Sequence, residues 1–227
     1  MNIIVVGSSR NDFIITPGRE RFLVDEKHTE LDEKNNMYCE LTGMYYLWKN
    51  NNDEIVGLEH YRRTFFDIFR NIPLDETAVK TYLAKYDVIT PFLNRDPCRK
   101  NLYDDLASHI TSEGVEKTLH IIKDLYGEDD EKFYREYLNR VEKHGFNLFI
   151  TTREKFEKYA EWIFSILFKL DETSKLPLRS YGYVSEFFMN AFFDKQGYTL
   201  KEVPILYREG NRQRLNTLDM GFANNYK

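Results

Sequence analysis

The stretch from residue 35 to residue 63, NNMYCELTGMYYLWKNNNDEIVGLEHYRR, contains one predicted helix and one predicted strand. Apolar and aromatic residues recur at helical spacing over Tyr38–Lys49, and Asn36 is placed to cap that helix. Ile55–Leu58 is a short apolar run bounded by charge, which suits a buried strand. The polar cluster that follows is therefore expected at the carboxyl end of this strand.

The rest of the chain continues this alternation. Further buried strands are predicted at Ile3–Val6, Tyr86–Thr90, Phe146–Thr151 and Val203–Tyr207. Further helices are predicted at Thr77–Lys85, Glu113–Tyr126, Glu131–Lys143, Glu154–Leu170 and Val184–Lys195. Strands that alternate with helices of about ten or more residues indicate an α/β fold with a mostly parallel central sheet flanked by helices. Ligands of such sheets bind outside the carboxyl ends of the strands.

Residues 1–227 are expected to form a single domain with two additions. From about residue 99 to residue 143, two or three consecutive helices interrupt the alternation and predict a helical insertion. From about residue 208 to residue 227 the chain is a basic tail that carries Arg208, Arg212 and Arg214. The pattern favours a solvated tail, with contact between these arginines and an anionic lipid head group or a phosphorylated acceptor as the alternative.

The composition excludes several classes of protein. A hydrophobic share of 42% and a charged share of 30% exclude disordered, collagen-like and disulfide-stapled chains. With 32 Lys+Arg against 37 Asp+Glu, the net charge of −5 argues against binding to nucleic acid through phosphate contacts. Cys39 and Cys98 show no metal-binding spacing, as in a reducing compartment. Without a signal-peptide pattern or a long apolar run, the chain is expected to be cytoplasmic.

The cluster EHYRR, residues 59–63, directly follows the predicted strand at Ile55–Leu58. The guanidinium forks of Arg62 and Arg63 suit phosphate oxygens, and His60 can donate a proton or bind a metal near neutral pH. At the end of a strand, this cluster predicts an anion site suited to a diphosphate. The alternative is that alternation along the strand buries some of these side chains in local ion pairs.

Two carboxylates and an amide are further candidates. Glu40, on a mostly apolar helix, is expected either to be buried with an arginine of the EHYRR cluster or to face a cleft. Arg179 precedes Ser185 and Glu186, and these two open a predicted apolar helix. Glu186 is either an ordinary partner of the helix dipole or a general base. Asn147 lies early in a predicted strand, where it either makes a specific hydrogen bond or forms a turn.

Several catalytic motifs are absent from the sequence. It contains no G-x-x-x-x-G-K-[ST], G-x-G-x-x-G, G-x-S-x-G, H-E-x-x-H or Asp-x-Asp. ATP-cradling loops, dinucleotide-binding folds, α/β-hydrolases and zinc proteases therefore lose their best sequence support.

Taken together, the motifs resemble a family catalogued as a domain of unknown function, number four-four-two-two. The resemblance rests on KNNMYCELTGMYYLWKN followed by IVGLEHYRR, then on FNLFITTREKFEKYAEWIFSIL and GYVSEFF, in order from about Asn35 to Phe193. The chain departs from the family at its first strand, which ends in Gly7-Ser8-Ser9-Arg10 instead of a Thr-His-Lys-like sequence.

The resemblance implies a glycosyltransferase with a GT-A-like, Rossmann-type nucleotide-sugar fold, acting in capsule, O-antigen or exopolysaccharide synthesis. The implied donor is a nucleotide sugar, at family level a UDP-sugar. The implied acceptor is a glycan or lipid-linked glycan, with peripheral contact at the inner membrane face. Such enzymes usually hold Mn²⁺ or Mg²⁺ on Asp-x-Asp. Because that motif is absent, no metal ligand is assigned, although His60 and Glu59 remain candidates.

The resemblance and the residue patterns together give a set of candidate site residues. Candidate catalytic residues are Glu186, His60 and Glu40, with Glu186 preferred as the base. Candidate substrate-binding residues are Arg62, Arg63, Tyr61, Asn36, Tyr38, Lys49, Asn147, Arg179, Ser185 and Arg10. We expect the two adjacent arginines to neutralise the leaving diphosphate where a metal would otherwise act.

Two other functions fit part of the pattern. One is a non-catalytic module that recognises a phosphorylated or glycan ligand within a polysaccharide assembly system. The other is a phosphate- or nucleotide-handling enzyme outside sugar transfer, which would explain the arginines but not the order of the motifs. Hydrolysis of a donor in the absence of acceptor separates an enzyme from a binding module.

Overall fold

A computed structural model describes residues 1–93, 100–210 and 212–216 of the chain. Residue 99 of the predicted insertion, Cys98, and residues 217–227 of the predicted tail lie outside these ranges. The strands are β1 (Asn2–Gly7), β2 (Arg19–Leu23), β3 (Ile55–His60), β4 (Arg63–Asp67), β5 (Ile72–Pro73), β6 (Val88–Thr90), β7 (Phe149–Thr152), β8 (Leu200–Glu202), β9 (Ile205–Glu209) and β10 (Arg212–Asn216).

The helices lie mostly between β5 and β8. They are α1 (Asn35–Tyr38), α2 (Leu41–Asn50), α3 (Glu76–Leu83), α4 (Leu102–Ile110), α5 (Ser112–Tyr126), α6 (Glu128–Tyr137), α7 (Arg153–Thr173) and α8 (Ser180–Lys195). A single 3₁₀ turn, Asp32–Lys34, precedes α1. None of the helices in the described ranges combines the length and the apolar character needed to cross a bilayer.

The strands form one mixed sheet, so the prediction of a mostly parallel sheet is wrong. Its order is β10-β9-β4-β3-β7-β6-β8, with β1 paired to β2 and β3, and β5 paired to β4. The pairs β1–β2, β1–β3 and β6–β8 are parallel, whereas β3–β4, β3–β7, β4–β9, β9–β10 and β6–β7 are antiparallel. The chain reverses in tight hairpins between β3 and β4 and between β9 and β10, and a hairpin pairs its strands antiparallel.

Apolar side chains cover both faces of the sheet. Alternation along β1 sends Ile4 and Val6 into the larger core and Ile3 into a smaller one on the opposite face. Helix α2 packs so closely on β1 that a Cβ at Gly43 would lie 2.6 Å from Val6 Cγ2. The predicted insertion contributes α4, α5 and α6, whose apolar residues belong to the larger core. This segment is therefore a helical layer that shares the main core.

Three predicted boundaries shift for conformational reasons. The helix predicted over Tyr38–Lys49 breaks at Cys39, where φ is 53°, so Asn36 lies inside α1 and not at a cap. Strand β7 begins at Phe149 because the residues at 146 and 147 have φ of 79° and 52°, which a strand cannot accommodate. Helix α8 begins at Ser180, so Glu186 lies beyond its first turn and is not a partner of the helix dipole.

The described part of the predicted C-terminal tail is a strand pair. Arg208 lies in β9, and Arg212 and Arg214 lie in β10, which pairs antiparallel with β9 at the edge of the sheet. As far as residue 216 the predicted tail is therefore an ordered extension of the sheet, in which Arg212 is exposed and Arg214 is partly exposed.

A buried ion pair joins four segments around the sheet. Arg19 donates from Nε and Nη2 to the two carboxylate oxygens of Glu59, at 2.9 and 2.8 Å, and both side chains are fully buried. Arg19 Nη1 also donates to the Leu74 carbonyl at 2.9 Å, and Glu59 Oε1 accepts the backbone N–H of Phe65 at 3.0 Å. The pair therefore fixes the start of β2, the end of β3, β4 and the segment after β5.

Replacing Glu59 by Gln should lower the free energy of unfolding by about 3–5 kcal/mol, because it leaves the Arg19 cation buried without a counter-charge. Urea unfolding measures this difference. The matched control is Glu154→Gln, which breaks the exposed Lys158–Glu154 pair of 2.8 Å and should leave stability unchanged. Equal effects of the two changes would show that the buried pair has no special structural role.

Candidate functional site

A cavity of about 320 Å³ opens at the carboxyl ends of β1 and β3. The two strands run parallel with Val6 beside His60, and the backbone N–H of Tyr61 donates to the Val6 carbonyl at 2.9 Å. Gly7 is required here, because a Cβ would lie 2.8 Å from Phe13 Cζ and 3.0 Å from Tyr61 Cβ. The position is the one where open α/β sheets bind ligands, and the volume suits a small molecule.

The cavity wall brings together some of the predicted site residues and others that the sequence did not single out. The predicted residues in the wall are Asn36, Glu40, His60, Tyr61 and Arg179. The residues that were missed are Val6, Gly7, Ser8, Asn11, Val24, Asn35 and Cys39. The only sequence signal for Ser8 and Asn11 was their place directly after the first strand.

Besides Arg62, Arg63, Asn147 and Ser185, which lie near the cavity but outside its wall, three residues expected to bind substrate are absent from the wall. Tyr38 is completely buried in the larger core, where its ring lies 4.7 Å from that of Tyr181. Lys49 lies at the far end of α2 with its ammonium 3.3 Å from the centre of the Trp48 ring. Arg10 is exposed on the loop after β1. The structure therefore gives none of the three a place in the wall.

The hairpin between β3 and β4 sorts the EHYRR side chains onto two faces. His60 pairs directly with Arg63 across the hairpin, so these two share one face. Glu59 points to the opposite face and is taken up by Arg19, which is the local ion pair that the alternative interpretation expected. Arg62 lies in the turn, where its Nη1 is 3.4 Å from Glu209 Oε1.

Arg63 carries a partly buried positive charge. Its guanidinium lies 4.1 Å from the centre of the Phe146 ring and 5.4 Å from that of Tyr207. Arg63 Nε has no hydrogen-bond partner among the described residues. Burial lowers the pKa of the guanidinium, and Arg62 adds to this, while Glu40 and Glu186 oppose it. This cation is therefore incompletely compensated and available to an anion.

His60 is neutral in the folded protein. Its Nδ1 accepts the backbone N–H of Arg62 at 3.3 Å, so the ring proton resides on Nε2. Burial lowers the pKa of His60 to about 3, with further lowering by the charges of Arg63, Arg62 and Arg179. This corrects the expectation of a histidine that exchanges protons near neutral pH. His60 can instead donate a hydrogen bond from Nε2.

Glu40 lines the cavity from the start of α2. The Cys39 backbone, with φ of 53° and ψ of −130°, separates α1 from α2 and places Glu40 at the N-cap position. Asn147 Nδ2 donates to Glu40 Oε1 at 3.0 Å. Burial raises the pKa of the Glu40 carboxyl, and the charge of Glu186 adds to this, whereas the Asn147 hydrogen bond and Arg63 act in the opposite direction. A carboxyl with a raised pKa is a competent proton acceptor.

Glu186 lies on α8 and is absent from the cavity wall. Its Oε1 is 3.1 Å from Lys143 Nζ, and Lys143 also lies 3.7 Å from Asp105 Oδ2 and above the Phe187 ring. Glu186 acts electrostatically on both Glu40 and Arg63. The structure therefore pairs Glu186 with a cation close to the site.

Arg179 and two buried polar residues complete the surroundings. Arg179 has a left-handed backbone, with φ of 69°, and its N–H donates to the Asn36 carbonyl at 2.9 Å. A hydrogen bond with Cys39 raises the pKa of its guanidinium. Asn147 and Ser185 are at most 1% exposed, so they are not placed to contact substrate directly.

The residues present do not fit a divalent metal. Among the described residues no group of three or more His, Cys, Asp or Glu side chains could hold a metal ion. Glu59 faces Arg19, and His60 lies among three arginines whose charge repels a cation. His60 and Glu59, the two candidate metal ligands, point to opposite faces of the sheet.

Residues 1–197 match the family described as "Domain of unknown function (DUF4422)". The chain belongs to this family. Membership confirms the resemblance that the sequence motifs indicated.

A solved structure described as that of the apo bifunctional glycosyltransferase WbbM has a similar fold, with a TM-score of 0.79 and 19% identity. The match covers 93% of this chain and 45% of that one, so this chain spans less than half of the length of WbbM. The likeness supports the expected GT-A-like fold, with a mixed sheet. No curated protein matches the chain.

We predict that His60 stays neutral from about pH 8 to about pH 5, as the Nε2–H tautomer, and this is measurable by ¹⁵N NMR of the histidine rings. A His60→Asn variant assigns the signal. In the unfolded chain His60 binds a second ring proton below its ordinary pKa of 6.5, whereas in the folded chain it stays neutral. His60 should therefore lower the free energy of unfolding as the pH falls from 6.5 toward 3. A His60 ring that protonates between about pH 6 and 7 would contradict the prediction.

Proposed function

We propose that this protein is a glycosyltransferase that moves a sugar from a UDP-sugar to a glycan or lipid-linked glycan acceptor, in the synthesis of capsule, O-antigen or exopolysaccharide. The observation that carries the proposal is the cavity at the carboxyl ends of β1 and β3, with uncompensated positive charge beside it. The DUF4422 motifs and the likeness to a glycosyltransferase structure support it.

The donor diphosphate is proposed to bind beside the β3–β4 hairpin. Arg63 is half-buried with an unpartnered Nε, and Arg179 lines the cavity from the start of α8. Arg62, which only weakly pairs with the exposed Glu209, can reorient toward a phosphate. These cations, with the Nε2–H of His60, stabilise the charge that develops on the leaving diphosphate without reorganising during the reaction.

The acceptor hydroxyl is proposed to be activated by Glu40. Glu40 removes the hydroxyl proton while that oxygen attacks the anomeric carbon of the donor. The bond from this carbon to the diphosphate oxygen breaks, and its electron pair leaves with the diphosphate. Of the two candidate carboxylates, Glu40 lines the cavity, whereas Glu186 is neutralised by Lys143 at 3.1 Å. This reverses the preference for Glu186 drawn from the sequence.

Replacing Glu40 by Gln should lower turnover by about 10²–10⁴-fold, because the general base is lost while the shape of the site is kept. Affinity for UDP, measured by calorimetry, should change little. Glu186→Gln is the matched control and should cost considerably less turnover. A larger loss in Glu186→Gln than in Glu40→Gln would return the role of base to Glu186.

UDP is expected to raise the melting temperature equally in Mn²⁺ and in EDTA, because arginines and not a metal hold the diphosphate. At about 100 times its dissociation constant, a ligand adds about 2.7 kcal/mol of stability. Arg63→Ala should abolish the shift. Lys49→Ala, which removes a cation that lies over the Trp48 ring at the far end of α2, is the control and should preserve it.

A shift that EDTA abolishes would show that the diphosphate needs a metal and would overturn the arginine assignment. The absence of any nucleotide-induced shift would overturn the donor assignment itself. UDP binding without hydrolysis of any UDP-sugar would instead identify the alternative function, a non-catalytic module that binds phosphorylated or glycan ligands.

A further inference from the structure

A chain of buried hydrogen bonds leads from α7 to Glu40. Tyr159 OH lies 2.8 Å from Ser185 Oγ, Ser185 Oγ donates to Asn147 Oδ1 at 2.8 Å, and Asn147 Nδ2 donates to Glu40 Oε1 at 3.0 Å. The first three residues are at most 1% exposed. They belong to α7, α8 and the segment before β7, so three separate parts of the fold converge on one carboxyl group. We call Tyr159, Ser185 and Asn147 the Glu40 relay.

The donor and acceptor roles in the relay are fixed by one carbonyl group. Asn147 Nδ2 also donates to the Gly182 carbonyl at 3.0 Å, and a carbonyl can only accept, so the amide cannot be flipped. Asn147 Oδ1 therefore accepts the single Ser185 hydroxyl proton. Ser185 has no second proton, so the Tyr159 hydroxyl donates, either to Ser185 Oγ at 2.8 Å or to the Ser185 carbonyl at 3.4 Å. The protons of Asn147 and Ser185 thus each have one defined position.

The same constraint applies to Glu40. Asn147 presents an N–H to Oε1, so Oε1 must accept in both protonation states of the carboxyl. A carbonyl oxygen accepts a hydrogen bond better than a hydroxyl oxygen does, so a proton on Glu40 is favoured on Oε2. The relay thus makes the two carboxyl oxygens inequivalent.

The backbone around the relay is strained, which is typical of positions held for function. Phe146 and Asn147 have φ of 79° and 52°, and Cys39, directly before Glu40, has φ of 53°. A positive φ is uncommon outside glycine and is a clear outlier for a bulky aromatic such as Phe146. The strain lies on both sides of the Asn147–Glu40 hydrogen bond, so this contact is held in place from both segments.

We propose that the Glu40 relay consists of positioning residues that lock the Glu40 carboxyl group and favour Oε2 as the oxygen that exchanges the proton. Asn147 and Ser185 then act on substrate through Glu40 and not by contact. The catalytic consequence rests on the proposed function, whereas the locking of the carboxyl group does not.

Other charges facing Glu40 come from several elements. They are Arg63 from β4, Glu186 from α8, Arg179 at the start of α8 and the adjacent Cys39 thiol. His60 lines the same cavity but is neutral. None of these residues is changed in Asn147→Gly, so a difference in the pKa of Glu40 between this variant and the unmodified protein reports the contribution of the relay.

The test is an NMR titration of the Glu40 carboxyl carbon in Asn147→Gly, with Glu40→Gln to assign the signal. Glycine accepts the φ of 52° without strain, so this variant removes the side chain of Asn147 and keeps the backbone conformation. Loss of a hydrogen bond to the charged form should raise the pKa of Glu40 by about one to two pH units. The matched control is Asn190→Gly, which removes another buried amide, one that donates to the His144 carbonyl at 2.8 Å, and should leave that pKa unchanged.

A second measurement uses the unmodified protein. The Asn147 side-chain N–H proton that faces Glu40 should shift with the same pH midpoint as the Glu40 carboxyl carbon. The relay would be overturned if folded Asn147→Gly showed an unchanged Glu40 titration. It would also be overturned if the Asn147 amide signal of the unmodified protein did not follow the Glu40 titration. If both NMR results hold but Glu40→Gln leaves turnover intact, the proposed catalytic role fails while the relay stands.

Discussion

The bidentate contact between Arg19 and Glu59 is the interaction on which the geometry of the site depends. It is fully buried, and the Thr16 hydroxyl, the Leu74 carbonyl and the Phe65 N–H make further hydrogen bonds to the two side chains. By holding Glu59 on the far face of β3, it fixes the alternation that presents His60 and Arg63 on the cavity side. A buried pair contributes little net stability, but it strongly disfavours any register in which either charge is unpaired.

On the cavity side the balance of charge is reversed. Arginines outnumber accessible carboxylates, since Glu186 is neutralised by Lys143 and burial raises the pKa of Glu40. Burial, together with the same cations, lowers the pKa of His60 and keeps it neutral, so this histidine serves as a hydrogen-bond donor and not as a proton-transfer group. The site thus combines surplus positive charge with one carboxyl suited to take up a proton. This combination matches a reaction that releases an anionic diphosphate and deprotonates a hydroxyl.

The sequence predicted the long apolar elements well, and α7 encloses the predicted Glu154–Leu170. The predictions fail where conformation or charge overrides hydropathy. Strand β10 has no apolar run and β4 begins inside the EHYRR cluster, so two strands that pair antiparallel were missed, and the alternation of the remaining strands with helices predicted a parallel sheet. Within the site, Glu40, His60 and Arg179 could be found from residue type and place. The burial of Tyr38 and the partner of Glu59 depend on contacts between distant segments, which a single sequence does not reveal.

The strained residues connect these observations. A regular helix over Tyr38–Lys49 and a regular strand over Phe146–Thr151 would satisfy local preference, yet Cys39, Phe146 and Asn147 all adopt positive φ. Each such residue costs about 1–3 kcal/mol and persists only where surrounding contacts determine it. The two irregular segments meet at the hydrogen bond between Asn147 and Glu40, and Ser185 and Gly182 secure the amide from α8. Three of the six non-glycine residues with positive φ in the described ranges thus flank one carboxyl group, which is the pattern expected where the orientation of that group matters more than local stability.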